Sequence, residues 1–321
     1  MRCWMPVFLM MPTFLNLTQG LYHGWRRYGL SKWLRLKSRR LIVLIPALFI
    51  ALLTFFAILQ GLILSFRDSW NERWTLEGYT AVFSHPFFWD SLLFSFYVTT
   101  VSTILSLIVG TALARILYVY LKRQNWKWLA WLPMLFPHFV AAYLVVLFFS
   151  QSGWMASLFY QSGMLDAPGQ FPVLTNDQRG VGLILTYVWK EVPFVMLMML
   201  PVFYEMNHRL KDAVTTLGGG RVRRFIDLEW QYLKPALLET SVIIYAFIIG
   251  AFEVPYLIGA TYPKMLPVLS YEWFYGGDWG MRPAAYGMIT LVSLCIVTLY
   301  YIVSRTIRRQ RKRMQEGGGT G

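Results

Sequence analysis

Long apolar runs alternate with short polar segments along most of this chain. Six runs hold about 20 or more residues, the length that an α-helix needs to cross the hydrocarbon core of a bilayer. The pattern therefore predicts spans at 41–66, 91–121, 128–150, 180–204, 236–259 and 284–303. We expect the fold class to be an all-α polytopic membrane protein with about six transmembrane helices.

The longest polar segment between two runs covers residues 209–235. Asp212, Ala213 and Val214 suit a first short helix, which the three glycines at 218–220 must end because glycine disfavours helix. Apolar residues then recur at roughly helical spacing, at Phe225, Leu228, Trp230 and Leu233. The segment predicts a pair of short amphipathic helices, which would lie at a bilayer surface or dock into a groove of a partner protein.

Composition supports the membrane class. Apolar residues make up 56% of the chain and charged residues only 14%, against roughly a quarter in soluble proteins. The two cysteines, Cys3 and Cys295, are too isolated to build a disulfide framework or a metal site. A net charge of +14 invites a nucleic-acid hypothesis, but the basic residues cluster beside the predicted spans. We therefore expect contact with membrane lipid and no nucleic acid.

The placement of Lys and Arg predicts the orientation of the chain. Loops 67–90, 151–179 and 260–283 hold few basic residues, whereas the N-terminal segment, the 209–235 loop and the C-terminal tail hold many. Because basic loops stay on the cytoplasmic side, both termini are predicted to be cytoplasmic. The expected organisation is a basic segment (1–40), a first span with its external loop (41–90), a transmembrane domain (91–305) and a basic, glycine-rich tail (306–321).

Charged residues inside the apolar runs are candidates for function, because each is costly in lipid unless it is paired or faces water. Lys190 and Glu191 are adjacent, so they point about 100° apart and each should have its own partner. Glu253 is expected within the fifth span, with Tyr256 on its face and Pro255 kinking the helix. Either Lys190 and Glu253 pair and hold two spans together, or these side chains line a translocation pathway.

No enzyme chemistry is indicated by the sequence. The four histidines are scattered, and the HExxH, CxxC and GxSxG motifs are absent, as is a phosphate-binding G-x-x-x-x-G-K-[ST] loop. We expect no catalytic residues, no metal and no cofactor. The chain is therefore not expected to hydrolyse ATP itself, and energy for transport would have to come from another subunit.

At residues 212–231 the polar segment resembles the EAA loop of permeases from binding-protein-dependent ABC importers. Asp212-Ala213-Val214 stands at E-A-A, Gly218 at the family glycine, Phe225 at a common aromatic position and Leu228 at the isoleucine. Asp replaces Glu, Val replaces the second Ala, and Trp230-Gln231 replaces the terminal Leu-Pro.

Three other stretches are similar to the same family. They are the small-residue and arginine signature at 110–115, the paired prolines Pro133 and Pro137, and the segment from Gly250 to Gly259. The last resembles permeases of the polyamine, iron(III) and phosphonate group.

The resemblance implies a type I permease in the bacterial cell membrane that works by alternating access. It implies two ABC ATPase subunits, a second permease subunit, and an extracytoplasmic solute-binding protein as partners. It also implies that Asp212, Ala213, Gly218, Phe225 and Leu228 couple to the ATPase. The alternatives are a secondary transporter or channel without an ATPase, which predicts repeated paired polar residues, and a membrane scaffold or enzyme, which predicts a catalytic cluster or soluble domain.

Overall fold

The structure is a computed structural model that describes residues 30–70, 73–120, 132–206 and 225–317, together with residues 216, 218, 220 and 223. The α-helices in these ranges are α1 (Leu30–Ser65), α2 (Glu77–Ser84), α3 (Phe88–Tyr120), α4 (His138–Phe149), α5 (Trp154–Gln161), α6 (Val181–Glu205), α7 (Trp230–Gly250), α8 (Glu253–Ile258), α9 (Leu266–Tyr275) and α10 (Arg282–Gly317). A π-helical turn, Phe225–Glu229, runs directly into α7.

Six helical segments of the described chain are long and apolar enough to cross a membrane. They are Leu44–Ser65, Phe88–Tyr120, His138–Gln161, Val181–Glu205, Phe225–Gly250 and Trp279–Ile307. The prediction of six spans is confirmed. The first, second and fourth spans also begin and end within a few residues of their predicted positions.

The third span differs from the prediction, which began it at residue 128. The helix starts at His138, after a 3₁₀ turn over 132–135 and an extended Pro137 that occupies the N-cap position. Pro133 and Pro137 explain the late start, because proline lacks the N–H that an interior helical position requires. Residues 121–131 lie outside the described part of the chain.

The fifth span lies about ten residues earlier than predicted. Its helix begins at Phe225 and ends at Gly250, and α8 then starts as a separate helix at Glu253. The polar segment therefore does not end in a separate surface helix, because its second half is the first part of the span. Pro235 lies inside α7, where it costs a hydrogen bond without ending the helix.

The C-terminal helix is longer than the predicted sixth span. α10 continues to Gly317, so the helix extends through the basic residues after 303 into the predicted glycine-rich tail. Lys and Arg are good helix formers, which is consistent with this extension.

The chain divides into two units, residues 1–60 and 61–321. The described side chains of the first unit, residues 44–60, are all exposed. The core of the second unit is built around α6 and the face of α3 that packs against it. That face of α3 carries small and hydroxyl side chains, all buried: Ser95, Thr99, Ser102, Ser106, Gly110 and Ala114.

Candidate functional site

The predicted coupling segment is described in part. Asp212 and Ala213 lie outside the described residues. Gly218 has a left-handed backbone with φ of 76°, which a residue with a β-carbon adopts only with strain. A turn at this glycine is the local structure that the sequence predicted.

The residues after this turn pack onto the helical bundle. Leu228 is buried and Phe225 is half-buried, whereas Ile226 between them is exposed. The π-helical turn Phe225–Glu229 thus has one face toward the protein. Turns of this type interrupt α-helices at functional positions more often than elsewhere.

An ion pair between a partly exposed guanidinium and a buried carboxylate joins this turn to the second span. The Nε of Arg115 on α3 lies 2.8 Å from Oε2 of Glu229, and the Glu229 side chain is only 7% exposed. The guanidinium carbon of Arg115 also lies 5.1 Å from the ring centroid of Phe225. Arg115 therefore contacts both the first and the last residue of the turn.

A second ion pair lies within the turn region itself. The Nε of Arg223 donates to Oδ2 of Asp227 at 3.2 Å, four residues further along the chain. Both side chains are exposed, so water screens this pair and its contribution to stability is small.

Lys190 lies in the middle of α6 and is 4% exposed. Its ammonium group donates to the backbone carbonyls of Pro133, at 2.7 Å, and Phe136, at 2.6 Å. These carbonyls belong to the 3₁₀ turn and the short extended segment that precede α4. Lys190 thus supplies the hydrogen bonds that a broken span requires at membrane depth.

Glu191 has a different partner from its neighbour. Its Oε1 lies 3.4 Å from Nε2 of His138, the first residue of α4. The His138 ring also packs against Phe247 of α7, with 4.7 Å between ring centroids. Lys190 and Glu191 together therefore hold the start of the third span against α6.

The predicted pairing of Lys190 with Glu253 is wrong. Lys190 is bonded to the two carbonyls, and Glu253 is exposed at the first position of α8. Pro255 is the third residue of this short helix, where proline is tolerated because the first N–H groups need no helical partner. Glu253 therefore does not lie inside the fifth span, and Pro255 does not kink it.

Tyr256 lies on the exposed side of α8. It is 55% exposed and stacks on Phe252, with 4.9 Å between ring centroids. The structure therefore separates the proposed pathway residues into a buried pair on α6 and an exposed pair on α8.

Three contact residues have no role assigned by the sequence patterns. Arg115 belongs to the signature at 110–115 without a stated partner, Glu229 is not singled out, and His138 is one of the scattered histidines. A carboxylate between apolar neighbours, as in Leu228-Glu229-Trp230, is the signal that identifies such a site. Among the described residues, no three His, Cys, Asp or Glu side chains are grouped so that they could hold a metal ion.

Comparisons with known proteins place the chain in a family. Residues 123–315, more than half of the chain, match the model of the binding-protein-dependent transport system inner membrane component. The sulfoquinovosyl glycerol transport system permease SmoG of Agrobacterium fabrum is 23% identical over 86% of this chain and 94% of its own length. The probable sulfate transport system permease cysT of Chlorella vulgaris is 24% identical over 75% of this chain and 87% of its own length.

The fold is also similar to that of solved transporters. A bacterial alginate ABC transporter, solved in complex with an alginate pentasaccharide-bound periplasmic protein, aligns with a TM-score of 0.71 at 16% identity. The match covers 87% of this chain and 97% of the transporter chain. The chain therefore belongs to the family of binding-protein-dependent transport system inner membrane components, as a multi-pass inner membrane permease subunit of an ABC importer.

Proposed function

We propose that this permease subunit forms a solute pathway and receives, through its 209–235 loop, the movement of a separate ATPase. The observation that carries the proposal is the continuity of the helix from Phe225 to Gly250. This helix starts a few residues after the Gly218 turn and crosses the bundle to the break before α8. It therefore joins the loop directly to a membrane span.

A continuous helix is suited to transmitting displacement. The 26 residues of Phe225–Gly250 measure about 39 Å at 1.5 Å per residue, more than the thickness of a bilayer core. A displacement of this helix at its loop end is therefore expected to displace its other end as well. At that far end, residues 251 and 252 leave the helix before Glu253 and Tyr256 follow on α8. These two exposed residues are our candidates for the pathway wall.

The partners in this proposal are two ABC ATPase subunits, a second permease subunit and an extracytoplasmic solute-binding protein. The family description names dependence on a binding protein, and the similar alginate transporter was solved with its periplasmic protein. The sequence has no phosphate-binding loop of its own. A secondary transporter or channel without an ATPase has no support in these comparisons.

The resemblance to permeases of the polyamine, iron(III) and phosphonate group predicts a solute of that kind, and this stays a prediction. The three similar proteins described above are named for sulfoquinovosyl glycerol, sulfate and alginate, which differ widely in chemistry. None of these names supports a polyamine, iron(III) or phosphonate substrate. We propose that the binding protein selects the solute and that this subunit provides the pathway.

The coupling role is tested by Gly218→Val. Because φ is positive at this residue, valine should strain the turn and displace the loop from the ATPase. The complex is purified through a tag on this chain and placed in lipid nanodiscs. A cysteine introduced at Tyr256, in a background without Cys3 and Cys295, is labelled with a maleimide, with and without ATP and vanadate. We expect Gly218→Val to abolish the nucleotide-dependent change in labelling rate.

Gly163→Val is the matched control. Gly163 also has φ of 76°, and a β-carbon added to either glycine would meet no described atom within 4 Å. Gly163 lies just after α5, far along the chain from the loop, so its substitution should preserve the nucleotide response. Normal assembly and a normal response in Gly218→Val would show that coupling does not pass through this loop.

A further inference from the structure

We propose that Arg115 and Glu229 form a positioning clamp that locks the loop end of the fifth span to the second span. The clamp is defined as the Arg115–Glu229 ion pair together with the Arg115–Phe225 contact. The inference rests on the proposed coupling function and assigns a role to Arg115 and Glu229, for which the sequence patterns gave none. Its consequence is that movement entering through the loop shifts two spans together.

The carboxylate of the ion pair is buried, and the Arg115 side chain that reaches it is 36% exposed. The Glu229 side chain is 7% exposed, so an ionised carboxylate there requires a close, matched cation. The Nε of Arg115 lies 2.8 Å from Oε2 of this carboxylate, in ion-pair contact. Separating the two side chains would remove this cation from a buried carboxylate, which is costly.

The cation–π contact adds a second point of attachment. Phe225 and Glu229 lie four residues apart, so both face the same side of the turn and the same guanidinium. The Arg115 guanidinium carbon is 5.1 Å from the Phe225 ring centroid, within the range of a favourable cation–π contact. Two attachments at the ends of one turn prevent it from pivoting about either.

The second span passes the constraint onward to α6. Five residues before Arg115, Gly110 packs so closely on α6 that a β-carbon there would lie 2.5 Å from the β-carbon of Val195. Ala114, next to Arg115, is fully buried. A shift of α3 at the clamp therefore cannot occur without a shift of α6, the helix that carries Lys190 and Glu191.

The neighbouring pair Arg223–Asp227 provides an internal control. It lies in the same region and has opposite charges, with Nε and Oδ2 3.2 Å apart, but both side chains are exposed. It joins residues only four positions apart and connects no second span. Its loss should leave the two spans locked together.

The test uses the double variant Arg115→Met with Glu229→Gln. Removing both charges avoids an unpaired buried ion, so we expect the variant to fold and to assemble with its ATPase subunits. It is studied in nanodiscs in the background without Cys3 and Cys295, with the reporter cysteine at Tyr256. ATP hydrolysis and maleimide labelling are measured with ATP, with and without vanadate. Asp227→Asn serves as the matched control.

We expect ATP hydrolysis to continue while the nucleotide-dependent change in labelling rate falls about tenfold, which corresponds to about 1.4 kcal/mol of lost coupling. Asp227→Asn should respond as the unaltered chain does. A full response in the double variant, with Gly218→Val still impaired, would overturn the clamp and leave the loop proposal intact. Full responses in both would overturn the loop proposal itself. Failure of the double variant to assemble would assign the pair to folding alone and overturn the clamp.

Discussion

Lys190 shows how a single residue makes an irregular backbone acceptable inside the bundle. Two carbonyls before α4 would lack donors because Pro133 and Pro137 interrupt the helix. The Lys190 ammonium group reaches both of them, at 2.7 and 2.6 Å, and its charge is stabilised by the carbonyl dipoles in return. The buried ammonium group of Lys190 and the interrupted helix before α4 therefore stabilise each other.

For this residue we predict that Lys190→Met destabilises the protein by about 1–3 kcal/mol, because two part-buried carbonyl acceptors lose this donor. The measurement is the free energy of unfolding in detergent or the midpoint of thermal unfolding. Lys264→Met is the control, since Lys264 bonds a partly exposed carboxylate, that of Glu272. That change should cost less than about 1 kcal/mol.

Glu253→Gln should leave stability nearly unchanged, because Glu253 is exposed and makes no pair with Lys190. The double change Lys190→Met with Glu253→Gln should therefore be as unstable as Lys190→Met alone. Recovery of stability in the double variant would show that the two side chains do interact.

The central element of the second unit is the pair formed by α3 and α6. Close packing of transmembrane helices depends on small residues at the contact, since van der Waals attraction and interhelical hydrogen bonds replace the hydrophobic effect there. α3 meets this requirement with Gly110, Ala114 and several buried hydroxyl side chains. The small-residue signature noted in the sequence thus lies at the main helix–helix contact.

Gly110→Ala should destabilise the contact between α3 and α6 by about 1–3 kcal/mol, the usual cost of overpacking. The added β-carbon would lie 2.5 Å from that of Val195 and 2.9 Å from the backbone carbonyl of Val192, which cannot move aside alone. Gly250→Ala is the control, because no described atom lies within 4 Å of the corresponding position. Equal thermal unfolding midpoints for the two variants would contradict this packing.

For the whole molecule, the distribution of basic residues predicts both termini on the cytoplasmic side. Three loops, 67–90, 151–179 and 260–283, are poor in Lys and Arg, whereas the remaining polar segments are rich in them. This asymmetry sets the orientation of inner membrane proteins. The 209–235 loop is then predicted to lie in the cytoplasm, as the proposed function requires.

We predict that single cysteines at Ser84, Ser162 and Thr261, all exposed in the structure, react with a membrane-impermeant maleimide added to spheroplasts. A cysteine at Thr216 should react only after the membrane is permeabilised. The background lacks Cys3 and Cys295. Labelling of Thr216→Cys in intact spheroplasts would show that the chain has the opposite orientation.

The sequence by itself determined the class, the number of spans and the family resemblance. Apolar run length is a local property, and a bilayer forces each such run into a helix because its backbone finds no other hydrogen-bond partner. The positive φ at Gly218 was likewise foreseeable, since a run of glycines between helical patterns indicates a turn. Each of these features depends on residues close together in the chain.

Only the tertiary structure decided where the helices break and which charges meet. Residues 225–235 are rich in polar side chains and hydropathy stays high beyond Gly250, so the pattern did not reveal that the span starts at Phe225 and ends before Glu253. The partners of Lys190 lie more than 50 residues away, and those of Arg115 more than 100. Because several carboxylates and carbonyls could satisfy a buried cation, its actual partner is chosen by the packing of whole helices.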